Sequence, residues 1–127
     1  MEVPYQVSIP DLIKISKKLI SSFFPGTDMY SLLLLALVTV SSYSRKKHHL
    51  NNQTCIDLTI EFIPDLLNYL LSEDIIDKNT EAQLKKALNS RKNEIPIILT
   101  SYIYAAGGLH IKMEIKADES KKICIVA

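Results

Sequence analysis

Two cysteines and three histidines are the side chains of this 127-residue chain best suited to covalent or metal chemistry. Cys124 stands fourth from the last residue given, followed by Ile125, Val126 and Ala127. A cysteine, two aliphatic residues and a permissive final residue form the C-a-a-X signal read by prenyltransferases, and alanine in the last place selects farnesyl over geranylgeranyl. The motif implies a thioether at Cys124, removal of Ile125 to Ala127, and methylation of the new carboxyl end. A competing reading packs Ile123, Ile125 and Val126 as a strand, with Cys124 a small apolar filler. The two exclude each other, because a transferase needs a flexible, exposed end.

One lipid chain holds a protein on a membrane only reversibly. The binding constant of a myristoyl group is about 10⁴ M⁻¹, so stable anchoring takes a second signal. Lys121 and Lys122, with Lys112 and Lys116, offer a basic flank that Glu114, Asp118 and Glu119 dilute. Each basic residue near an anionic surface adds about 1 kcal/mol. The densest positive run, Arg45-Lys46-Lys47-His48-His49, is the other candidate contact for an anionic surface. Its alternative role is local, since cations in the last turn of a helix meet unsatisfied carbonyls and the negative dipole end.

Other chemistries lack their residues. His48, His49 and Cys55 match no zinc spacing, and adjacent histidines on a helix diverge by about 100°. Neither Cys55 nor any serine stands in a nucleophile motif. Gly107-Gly108 has no preceding strand and no following Gly-Lys-Ser/Thr, so it is no phosphate loop. A net charge of +1, from 15 basic against 14 acidic residues, argues against a nucleic-acid binder driven by bulk electrostatics. The expectation is a chain with no catalytic residues, no metal and no cofactor.

The first residues lack a secretory signal and the glycine that myristoylation needs. The longest apolar run, from Met29 to Val40, holds about a dozen residues where a membrane span needs roughly 20. Such a run fits a helix buried on all sides.

The elements that would carry these residues are helical. Ser8 with Asp11 three residues on, and Pro10 between, marks a first helix carrying Leu12, Ile13, Leu19, Ile20, Phe23 and Phe24. Pro25-Gly26 ends it. Thr27 or Asp28 caps the apolar second helix, expected to run to about Tyr43 and to form the centre of the fold, with Arg45 to Asn52 a basic connector. Proline is tolerated only in a helix's first turn, so Pro64 places the third helix start at Thr59 to Glu61 and leaves Cys55 to Leu58 as a separate short turn. Phe62, Ile63, Leu66, Leu67, Leu70 and Leu71 form its apolar face. Ser72 to Asp77 is a loop that pins Ile75 or Ile76 into the core. A fourth helix starts at Asn79 or Thr80. A fifth starts near Asn93, takes Pro96 in its first turn, carries Ile95, Ile98, Leu99, Tyr102 and Ile103, and stops at Gly107-Gly108.

The period then changes to two. Leu109, Ile111, Met113 and Ile115 alternate with polar residues, as in a half-buried strand. The expected fold class is mainly α: a compact bundle of about five helices over residues 1–108, with a short strand or hairpin tail over 109–127. The function expected of it is that of a non-enzymatic helical adaptor, held reversibly on the cytosolic face of a membrane by farnesylated Cys124. Its partners would be a farnesyltransferase, a prenyl-binding carrier, the membrane surface and an unidentified protein, with no nucleic acid. The alternative is a soluble structural or interaction subunit whose hairpin packs on the bundle or augments a partner, without lipid.

Overall fold

Ser8 and Asp28, two short polar residues before apolar runs, open the first two helices by accepting from backbone N–H groups that helix geometry leaves without partners. The computed structural model describes residues 7–24, 28–47 and 50–105, with nothing stated for the side chains of Phe23 and Lys47. Five helices lie among the described residues: α1 (Ile9–Phe23), α2 (Met29–Lys47), α3 (Asn52–Ser72), α4 (Lys78–Ser90) and α5 (95–105). No strand occurs among them. The expected tail hairpin, the Pro25-Gly26 and Gly107-Gly108 stops, His48, His49, Lys121, Lys122 and the Cys124–Ala127 motif all fall outside the described residues.

In α1, the Ser8 hydroxyl accepts from the Asp11 N–H at 3.2 Å, and Pro10 sits in the first turn as the spacing requires. Asp28 accepts from Ser31 N–H at 2.8 Å and starts α2. Leu32, Leu33, Leu35, Ala36, Leu37 and Val40 of α2 are all buried, leaving no polar face along this stretch. The helix therefore sits at the centre, packed chiefly on α1 and α3, with α4 lying against both α2 and α3. Fully burying each of these leucines contributes about 1.5–3 kcal/mol, against which the loss of chain entropy works.

The core continues through Leu12, Phe62, Leu66, Leu70, Ile76, Leu84 and Leu99 into a single apolar cluster. Two buried hydroxyls inside it donate to backbone, Ser16 to Ile13 O at 2.8 Å and Thr59 to Cys55 O at 2.6 Å, whereas Thr39 Oγ1 and Ser41 Oγ have no hydrogen-bond partner among the described residues. Ser44 accepts from Leu50 N–H at 2.7 Å, tying the α2 end to the chain that enters α3. Ile76 is the loop residue that enters the core, while Ile75 stays exposed.

Two expectations are corrected. α2 runs on to Lys47, so Arg45, Lys46 and Lys47 belong to its last turn and are no connector. Ser41, Tyr43 and Ser44 near its end are buried like the leucines before them, and that packing sustains the helix past the apolar run. Likewise α3 is one continuous helix from Asn52, with Pro64 in its interior. Asn51 caps it by accepting from Thr54 N–H at 2.8 Å, and Cys55, Ile56 and Leu58 are buried in its first two turns. Burial of that whole stretch outweighs the cost of the proline, whose ring lies on an exposed side.

Candidate functional site

Pro64 shapes the first of two concavities. A proline has no N–H, so the Ile60 carbonyl loses its ordinary donor four residues on. Ile60, Ile63, Pro64 and Leu67 stand at i, i+3, i+4 and i+7 along α3 and form one wall of an open apolar groove of about 300 Å³. Leu88 of α4 and Ile95 of α5 form the opposite side. Ile63 and Leu67 lie buried at its base, Ile60 and Leu88 are half-buried, and Pro64 is exposed. Lys85, Asn89 and Lys92 stand at the rim. The Lys85 ammonium lies 3.4 Å from Glu81 on the same helix.

The second concavity, about 240 Å³, lies where α1 crosses the last turns of α2. Lys14 and Lys18 stand one turn apart on α1, and Lys46 reaches it from α2. Tyr43 and Ile15 line it as well, with Asp11 its one carboxylate among the described residues. Tyr43 is held by the Ser8 N–H, which donates to its hydroxyl at 3.3 Å.

Of the basic run in the sequence, Lys46 lines this cavity and Arg45 is exposed beside it. Lys14 and Lys18, which the sequence sets between the apolar positions of the first helix, are its companions. Their four-residue spacing was readable, but their approach to Lys46 required the crossing of two helices. Cys55 is fully buried, with its thiol directed at Leu50 O at 3.8 Å. Burial and the nearby Tyr30 and Asp28 push the Tyr102 phenol above its ordinary range. Tyr102 packs on the core, as its place among the apolar positions of the fifth helix predicted, while Tyr104 is exposed.

Among the described residues, no group of three His, Cys, Asp or Glu side chains could hold a metal ion. No helix among them is long and apolar enough to cross a membrane. No family model, curated protein or solved structure matches this chain.

Proposed function

We propose that this chain is a non-enzymatic helical interaction protein whose α3–α4–α5 groove takes the apolar face of an amphipathic partner helix. The groove itself carries the reading. A stripe at i, i+3, i+4 and i+7, left open beside a second apolar wall, is complementary to a helix that presents the same spacing. Its volume, about 300 Å³, accepts a few aliphatic side chains. Lys85 and Lys92 at the rim select a partner with acidic residues flanking its apolar face.

The test is titration with a capped synthetic helix bearing leucines at that spacing and glutamates beside them, followed by amide chemical shifts. Saturable shifts confined to the groove, weakened tenfold or more by Leu88→Glu and by replacing the peptide's glutamates with lysines, are expected. Equal binding of a peptide with scrambled leucine spacing would overturn the reading.

The proposal includes reversible attachment to the cytosolic face of a membrane through farnesylated Cys124. This part rests on the Cys124-Ile125-Val126-Ala127 motif alone. Intact mass of the protein from eukaryotic cells, with and without a farnesyltransferase inhibitor, tests it. A farnesyl adduct lacking Ile125 to Ala127, abolished by the inhibitor, is expected. An unmodified mass removes the lipid and leaves the groove reading standing.

A further inference from the structure

We propose that the concavity between α1 and the end of α2 binds a phosphate monoester, with Lys14, Lys18 and Lys46 as its cationic rim and Tyr43 and Ile15 as its apolar base. This is a different face from the groove, and neither the groove nor Cys124 enters the argument.

Charge is the first support. Three ammonium groups face one carboxylate, Asp11, around a single depression. None of the three lysines is ion-paired among the described residues. Like charges four apart on a helix repel, and Lys14 and Lys18 stand so on α1. The negative end of the α2 dipole accounts for Lys46 in its last turn. It does not account for Lys14 and Lys18, which come from the middle of another helix. A bound anion would relieve this repulsion, and a concave, partly apolar wall focuses the field on it.

Stoichiometry of charge then selects the ligand. Three ammonium groups stand beside one carboxylate among the described lining residues, an excess of positive charge that suits a phosphate monoester, which carries about −1.5 to −2 at neutral pH. A phosphodiester or a simple carboxylate carries about half of that. The lysines suit a phosphate as point charges with freely rotating donors, without the fixed fork that arginine would impose. A space of about 240 Å³ is more than a bare phosphate fills. The Tyr43 and Ile15 surfaces fit the ring or carbon skeleton that bears it. Two sources share this chemistry: a phosphorylated inositol headgroup in a bilayer, and a soluble phosphorylated cyclitol or sugar.

The experiment uses the full chain with Cys124→Ser, so that no lipid on the protein contributes. Binding is measured to phosphatidylcholine vesicles doped with phosphatidylinositol monophosphate, and to vesicles carrying the same total charge as phosphatidylserine. Soluble inositol monophosphate is titrated in parallel. Preference for the phosphoinositide vesicles assigns a headgroup site; saturable binding of the soluble compound without vesicle binding assigns a soluble ligand. Either supports the proposal if Lys14→Gln, Lys18→Gln and Lys46→Gln each weaken binding about tenfold, the equivalent of roughly 1.4 kcal/mol. Lys17→Gln is the control, an exposed lysine of α1 outside the cavity lining, and should change little. Equal losses from Lys17→Gln and Lys18→Gln, equal binding to both charged vesicles, or no binding to any of the three would overturn it. All four lysines are exposed, so the variants keep the fold.

Discussion

Asp77 shows how much one side chain settles here. It caps α4 by accepting from Thr80 N–H at 2.7 Å, and its carboxyl is held below the ordinary value of 3.8, first by that backbone hydrogen bond and then by the Thr80 side chain. A carboxyl depressed in the folded state stabilises it above the unfolded value, and the contribution fades as the solution is acidified through the folded one. The Thr80 amide should therefore lose protection from hydrogen exchange when the pH falls below 3.8. Asp77→Asn, which keeps an acceptor without a titrating charge, should remove that dependence. If exchange at Thr80 follows the same pH course in both proteins, Asp77 is not the titrating group. Ser8, Asp28 and Asp77 are all polar residues directly before helical patterns; the sequence pointed to Ser8 and left the second cap open between Thr27 and Asp28. Asp77 read as the end of a loop before a helix starting at Asn79 or Thr80, and it caps the helix that starts at Lys78.

At the scale of the element, α3 is the instructive case. The proline rule placed its start after Cys55 to Leu58; the helix begins at Asn52 instead. Local propensity disfavours Pro64 in a helix interior by about 3 kcal/mol relative to alanine. Nine buried residues along α3, from Cys55 to Leu70, supply more than that. Pro64→Ala restores an N–H for the Ile60 carbonyl and should raise stability by on the order of 1–3 kcal/mol, read from the urea midpoint. It should also flatten the groove wall and weaken binding of the acidic probe peptide. A lower midpoint would show that packing of the proline ring outweighs the missing hydrogen bond. The α2 boundary failed for a related reason. Hydropathy declines after Val40, yet Ser41, Tyr43 and Ser44 are buried, and burial depends on neighbours the local pattern does not name.

For the whole molecule, the core holds its neighbours through shape as well as apolarity. Leu66 is fully buried in α3, and Leu33 fully buried in α2, within one continuous cluster. Leu66→Ala removes transfer energy and leaves a cavity, which together cost about 2–5 kcal/mol. Against a total stability of about 5–15 kcal/mol for a typical domain, that loss is large. A denaturation midpoint shifted by less than about 1 kcal/mol would mean that the bundle collapses around the gap. Leu88→Glu, by contrast, alters a half-buried groove position and should cost far less stability than it costs peptide binding.

The sequence by itself determined the helical class, the central place of the apolar second helix, the N-cap at Ser8, and the helix that takes Pro96 in its first turn. These follow from periodicity and from hydrogen bonds between residues a few positions apart, which are local physics. Tertiary structure decided what lies open on the surface. Ile63 and Leu67 read simply as core, and only the placement of Leu88 and Ile95 left a groove above them. Lys14 and Lys18 fall between the apolar positions of the first helix, and Lys46 read as a candidate surface contact or a dipole partner. Their meeting around Tyr43 depends on how α1 crosses α2, and a crossing angle is set by the shapes of both packed surfaces together.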